Sequence, residues 1–184
     1  MHSNILSKDE TALVVIDVQE AFRNVVPESV DFIGRVARIV RGFGILEIPI
    51  VVTEQYPKGL GRTAAEILDA LPESAEIVEK STFSSCGAAD FLVAINKTGA
   101  RQVLVCGLET HICVNQTVHD LLDSGFQVHL LTDAVGSRFE VDKRAGIDKM
   151  IAGGAIPSSV EMALFELMGD SKHEHFKAIQ AIVK

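Results

Sequence analysis

A chain of 184 residues, 47% of them hydrophobic, can bury one sizeable core, and a single domain over residues 1–184 is expected. A net charge of −8 with scattered basic residues argues against a nucleic-acid partner, since binding to phosphate backbones concentrates positive charge on one face. Residues 1–10 are short and polar, unlike a secretory leader, and no apolar run approaches the roughly 18 to 20 residues of a membrane span, so a cytoplasmic protein without a membrane partner is expected.

In chain order, residues 13–16 (LVVI) form a continuous apolar run that stops at Asp17, the pattern of a strand buried on both faces. Residues 30–46 carry apolar side chains at helical spacing, and Gly44 and Pro49 help end that helix. Residues 48–53 (IPIVVT) are the second buried strand, leading into a loop over 54–61 whose Pro57, Gly59 and Gly61 prevent regular structure. A short helix over 63–71 and a weak third strand over 76–79 follow, the latter delivering Lys80. Residues 85–97 are predicted as a helix with Ala88, Phe91, Leu92 and Ile95 on one face, stopped by Gly99. Residues 102–106 (QVLVC) are the fourth strand. The fifth, 127–131 (QVHLL), runs into Thr132, Asp133 and Ala134 as its exit loop. A helix over 140–152, a turn with at most a brief strand over 153–157, and closing helices over 160–168 and 175–183 complete the chain. Strands alternating with helices define an α/β protein, a right-handed three-layer α/β/α sandwich on a mostly parallel six-stranded sheet.

The fourth strand feeds a turn and then a run in which Val114, Thr117, Val118, Leu121 and Leu122 share a helical face, so Cys113 falls at or near the first turn of that helix. Unpaired backbone N–H groups and the positive end of the helix dipole there favour a thiolate, which predicts a lowered cysteine pKa. Ligands in such sheets bind beyond the carboxyl ends of the strands. Asp17, Lys80 and Cys113 each stand at or just past such an end on three different strands. With strand order 3-2-1-4-5-6 the first and fourth strands are neighbours about 4.8 Å apart, while Lys80 must reach across roughly 10 Å.

Three blocks now match a known family: Ile16-Asp17-Val18-Gln19-Glu20-Ala21-Phe22, Lys80-Ser81-Thr82-Phe83-Ser84 and Gly107-Leu108-Glu109-Thr110-His111-Ile112-Cys113-Val114. In this order they resemble the isochorismatase-like cysteine hydrolases, a group that includes nicotinamidases and N-carbamoylsarcosine amidase. The stretch from Thr53 to Gly61 and the run from Cys113 to Leu122 more narrowly resemble the isochorismatase domain-containing subgroup. The resemblance implies a triad in which Cys113 attacks a carbonyl carbon, Asp17 moves the proton, and Lys80 supplies a positive charge beside both. It further implies an oxyanion hole of the Glu109 and Cys113 backbone N–H groups, with a cis peptide between Leu108 and Glu109. Losing one such donor typically costs about 100-fold or more in rate. Homo-oligomers, a dimer or larger, are common among such proteins.

Two departures from the wider family narrow the chemistry. Its metal-dependent nicotinamidases carry an Asp-x-His pair after the second strand, where this chain has Thr53-Glu54-Gln55-Tyr56 and no histidine between His2 and His111, so no metal and no other cofactor is expected. True isochorismatases usually lack the cysteine. The expected activity is therefore metal-independent hydrolysis of a small-molecule amide or related carbonyl compound. A non-catalytic scaffold that keeps the fold, an isochorismatase-type or nicotinamidase-type hydrolase, and a redox-sensing cysteine are the alternatives.

Taken singly, Asp17 is a helix cap or strand-end acid and Lys80 a surface lysine; their joint occurrence in three family-like contexts assigns them to a site. His111 is the alternative base, disfavoured because Asp17 accounts for the first strand. Gln19, Phe22, Gln55 and Tyr56 are expected to line the substrate pocket. His119 and His129 are expected at the surface or half-buried, and His173 and His175 at a solvated helix start rather than a metal site. Gly42-Phe43-Gly44 does not extend to a dinucleotide fingerprint. Cys86 and Cys106 are expected to be structural: with three cysteines, an odd number, and no CxxC, neither a disulfide framework nor a zinc knuckle is indicated.

Overall fold

A strand covered by helices on both faces must be apolar throughout, and β1 (Thr11–Ile16) is buried at every position. The computed structural model describes residue 2 and residues 4–184; the expectation for residues 1–10 rests in part on Met1 and Ser3, which lie outside the described residues. β1 is followed by α1 (Ser29–Ile45), β2 (Ile50–Gln55), the short α2 (Pro57–Leu60) and α3 (Ala65–Leu68), β3 (Glu76–Lys80), α4 (Ala89–Lys97), β4 (Gln102–Leu108), α5 (Asn115–Asp123), β5 (Gln127–Gly136), α6 (Glu140–Ala152), β6 (Ile156–Ser158), α7 (Val160–Met168) and α8 (Phe176–Val183). The sheet has the order β3-β2-β1-β4-β5-β6, and every pairing in it is parallel.

Successive side chains of a strand point to opposite faces, and each face of the sheet finds its own helices. Leu13, Val15, Val52, Leu104 and Cys106 pack with α1, α7 and α8, whereas Ala12, Val14, Ile16, Val51, Val103 and Val105 pack with α4, α5 and α6. No helix of the described residues is long and apolar enough to cross a membrane.

The loop expected over 54–61 instead continues β2 to Gln55 and holds one helical turn, Pro57–Leu60, opened by Pro57 at its start, and three further departures from the expected elements have physical causes. The helix expected over 85–97 is broken into a 3-10 turn, Ser85–Gly87, and α4, because the Ser84 hydroxyl accepts from the Cys86 N–H and the Ser85 N–H is drawn to Thr117. Residues 132–134 are not an exit loop: β5 continues to Gly136, and its register against β4 slips between the Val105–Leu130 and Gly107–Val135 pairs. Asp133 in that slip caps α7, its carboxylate accepting from the Val160 N–H at 3.1 and 3.2 Å, and its carbonyl accepts from Arg35 Nε at 2.7 Å.

His129 is the third departure, buried in β5 rather than at or near the surface, with no hydrogen-bond partner for Nδ1 among the described residues. Burial holds its pKa down at about 4, below the ordinary histidine value near 6.5. Below about pH 6.5 the unfolded chain therefore takes a proton that the folded one refuses until about pH 4, and stability present above that window is lost as pH falls through it. At about 1.4 kcal/mol per unit the loss is on the order of 3 kcal/mol. Urea-unfolding free energies at pH 7 and at pH 4 are expected to fall by that much less in His129→Leu than in the wild type; equal falls would remove His129 as the cause.

Candidate active site

β1 and β4 run side by side with Ile16 opposite Gly107. A Cβ on Gly107, whose φ is +128°, would lie 2.1 Å from the Ile16 carbonyl oxygen, so only glycine allows the two backbones to close up where Asp17 leaves the sheet. Asp17 turns there in the left-handed region, φ 52°, and its N–H donates to the Thr53 carbonyl at 3.1 Å. On the other side of β1, Ile16 pairs with Thr53 of β2, and Gln55 of β2 pairs with Lys80 of β3. Three strand ends thus converge on one rim.

The side chains meet there. Lys80 Nζ donates to Asp17 Oδ2 at 2.6 Å and to Gln55 Oε1 at 2.7 Å, with the carbonyls of Thr82 and Phe83 at 3.2 and 3.1 Å. Both partners of this ion pair are buried, at 0% and 1% side-chain exposure. The other Asp17 oxygen accepts from the Thr53 hydroxyl at 2.7 Å. The Asp17 carboxylate and the Glu109 backbone N–H both act on the Cys113 sulfur, the first raising and the second lowering the pKa of the thiol.

Cys113 is not on the first turn of a regular α-helix. Thr110–Val114 form one π-helical turn ahead of α5, in which the N–H groups of Ile112 and Val114 both donate to the Glu109 carbonyl, at 3.0 and 3.2 Å. The Thr117 hydroxyl donates to the Cys113 carbonyl at 2.7 Å and accepts from the Ser85 N–H at 2.9 Å. The cysteine turn is thereby tied to the segment that follows Lys80.

The expected lowering of the Cys113 pKa is reversed. Burial and the adjacent Asp17 carboxylate push the thiol up to about 12, outweighing the opposing pull of the Lys80 ammonium and the Glu109 N–H. The helix-terminus argument fails because the sulfur already has an anion as its neighbour, and a second anion in a poorly solvated place is disfavoured. At neutral pH Cys113 is a thiol. Burial likewise pushes Cys86 up to about 11 and Cys106 higher still.

The remaining expected residues fall into two groups. Glu109 is nearly buried, and the peptide bond between Leu108 and Glu109 is cis. His111 is turned away to the next loop, with Nδ1 3.0 Å from Ser137 Oγ and Nε2 3.9 Å from the Asp142 carboxylate. Gln19 is a buried brace rather than an open pocket group: its amide donates to the carbonyls of Gln55 and Gly61 at 3.0 and 2.7 Å and accepts from the Gln55 N–H at 2.8 Å. Gln55 is a partner of Lys80 and donates to the Ser81 carbonyl at 2.9 Å. Phe22 is half-buried against the core, and only Tyr56 is well exposed, its ring lying over Gly59. Thr53, Ser85, Thr117 and Arg138, which grips the Glu109 carboxylate at 2.8 Å, were absent from the expected set. Thr53 alone left a trace in the sequence, as the hydroxyl that ends an otherwise apolar strand.

A surface cavity of about 790 Å³ lies at the opposite rim between Pro49, Pro72 and Lys97 and includes none of these groups. Among the described residues no group of three or more His, Cys, Asp or Glu side chains is arranged to hold a metal ion.

A six-stranded parallel sheet in this order is the fold of the isochorismatase-like proteins. The isochorismatase domain model matches residues 11–162, and the chain belongs to that family. It is 38% identical to isochorismatase domain-containing protein 1 of Salmo salar over 95% of this chain and 61% of that protein. It is also 38% identical to isochorismatase domain-containing protein 2 of Bos taurus, over 94% of this chain and 82% of that one. The chain spans less than two thirds of the salmon relative's length. A structure described as MAR1 ribonuclease from Caenorhabditis elegans superposes with a TM-score of 0.93 at 36% identity, covering 97% of this chain and 92% of that one. Membership of the family points to a hydrolase.

A thiol held near 12 has a direct consequence for alkylation. Because only the thiolate reacts, the rate of Cys113 labelling by iodoacetamide is expected to climb about tenfold per pH unit between about pH 6 and about pH 9, without a plateau. A plateau below about pH 8, followed by mass spectrometry of the labelled peptide, would contradict it.

Proposed function

We propose that this chain is a metal-independent cysteine hydrolase of a small amide or related carbonyl compound, working through a thioester with no cofactor. The observation that carries the proposal is the Asp17 carboxylate held between the Lys80 ammonium, at 2.6 Å, and the Cys113 thiol.

With the thiol protonated at rest, proton removal accompanies attack. As the Cys113 sulfur bonds to the substrate carbonyl carbon, its proton passes to Asp17 and the carbonyl π electrons move to oxygen, where the Glu109 and Cys113 backbone N–H groups receive the charge. Collapse of that intermediate breaks the carbon–nitrogen bond, and Asp17 returns the proton to the leaving amine. A water then attacks the thioester, giving a proton to Asp17, which hands it to the departing sulfur. Lys80 stays charged throughout and keeps Asp17 ionised between steps. Thr53 and Gln55 orient the carboxylate and the ammonium respectively. Tyr56 lines the substrate entrance, Phe22 supports its apolar wall, and Gln19 shapes the entrance by bracing its loop.

The name of the worm neighbour raises RNA cleavage as a second reading. A net charge of −8 works against it, because phosphate contacts depend on clustered positive charge. The proposal also takes the protein to be a cytoplasmic homo-oligomer, a dimer or larger.

Turnover is to be measured over a panel of primary amides, ureido acids, small esters and a single-stranded RNA, with Cys113→Ala as the blank. At least one carbonyl substrate is expected to be cleaved by the wild type, with a loss of about 1,000-fold or more in Cys113→Ala and in Asp17→Asn. Cleavage of RNA alone, or activity that survives in Cys113→Ala, would sink the proposal.

A further inference from the structure

The turn that carries the cysteine is gripped from one side by a single loop. From the last residue of β5 into the segment before α6, residues 136–138 contact residues 109–111 one by one. The Thr110 hydroxyl donates to the Gly136 carbonyl at 2.8 Å, His111 Nδ1 lies 3.0 Å from the Ser137 hydroxyl, and Arg138 donates to the Glu109 carboxylate through Nε at 2.8 Å and through its own backbone N–H at 3.4 Å. Close packing leaves little slack around this clasp. A Cβ on Gly136 would lie 2.8 Å from the Leu108 side chain, and one on Gly146 of α6 would lie 2.9 Å from the Thr110 carbonyl oxygen.

The rung formed by Arg138 differs from the other two in kind. Glu109 is nearly buried, yet Arg138 is half exposed. A guanidinium in contact with water is therefore the only charged partner that reaches this carboxylate among the described residues, and the bond is charge-assisted and directional. Asp142 also attracts the guanidinium, from the first turn of α6. The backbone of the same residue, Glu109, anchors the cysteine turn, its carbonyl accepting from the Ile112 and Val114 N–H groups at 3.0 and 3.2 Å, and its own N–H acts on the Cys113 sulfur. With its carboxylate engaged by Arg138, Glu109 is not a free acid for substrate; its side chain is a handle by which the peptide is held.

We infer that Arg138 is a positioning residue for acyl transfer, holding the Glu109 side chain so that the Glu109 N–H stays aimed at the place where the substrate oxygen becomes negative. This rests on the cysteine-hydrolase reading above and adds a residue outside the Asp17, Lys80 and Cys113 set. Donors in such a hole act by staying aligned before the charge develops, so a loosened donor costs rate more than substrate affinity.

The test separates reactions that build charge on oxygen from those that do not. Butanal adds to Cys113 as a hemithioacetal: the sulfur–carbon bond forms, the carbonyl π electrons go to oxygen, and the thiol proton reaches that oxygen by way of Asp17. Iodoacetamide alkylates the same sulfur by displacing iodide, with no new charge on oxygen. In Arg138→Ala, protection of Cys113 by butanal is expected to need about tenfold more aldehyde, and kcat on any substrate from the panel is expected to fall about tenfold with KM within about twofold. The iodoacetamide rate should stay within about threefold. Arg138→Lys should recover part of the loss, since it keeps the charge without the planar fork. Glu109→Gln, which retains shape, provides a second variant if Arg138→Ala does not fold. Unchanged butanal affinity and kcat in a folded Arg138→Ala would overturn the inference, as would an iodoacetamide rate that falls in step with them. A wild type that butanal does not protect and that turns over no carbonyl substrate would instead bring down the cysteine-hydrolase reading, and this inference with it.

Discussion

The Asp17 carboxylate and the Cys113 sulfur sit beside each other in a nearly water-free place, and the Lys80 ammonium makes that tolerable. Its bond to Asp17, 2.6 Å long, is closed to solvent on both sides. Removing either partner from such a pair leaves an uncompensated buried charge, typically at a cost of about 3 to 5 kcal/mol. The Thr53 hydroxyl, Gln55 and the carbonyls of Thr82 and Phe83 satisfy the bonding capacity that remains. The pair and its surroundings therefore stand or fall together, and the cysteine is added to an electrostatic arrangement already complete without it.

Burial is the largest cause of the high pKa of Cys113, and the Asp17 carboxylate adds to it more than the Lys80 ammonium takes away. A site of this kind holds its cysteine as a thiol at neutral pH. It differs in this from sites that store a thiolate beside an unpaired cation.

The fold supplies positions rather than reactivity. Parallel strands end together at one rim, so groups at the ends of β1, β2, β3 and β4 are brought within reach of each other by sheet spacing. Closing the last gap depends on Gly107, where the backbones of β1 and β4 approach more closely than any side chain would allow. The cysteine turn is then fixed from two sides, by Ser85 and Thr117 toward the Lys80 segment and by residues 136–138 toward β5. Interaction with two independent loops is how a π turn, a poor element by itself, is kept in one shape.

Much of this was legible in the amino-acid sequence. Apolar runs that stop abruptly at Asp17 and ahead of the Gly107 turn mark buried strands with chemistry at their ends, because a strand covered on both faces admits nothing else. The helices expected over 140–152 and 160–168 form with those bounds. Tertiary structure decided what depends on neighbours remote in the chain. It broke the 85–97 helix to satisfy Thr117, extended β5 so that Asp133 could cap α7, buried His129, and made Gln19 a brace. Above all it reversed the expected ionisation of Cys113. Periodicity reports which way a side chain faces, and local position reports the field of its own helix; the charge of a group 96 residues away, Asp17 beside Cys113, enters only when the chain has folded.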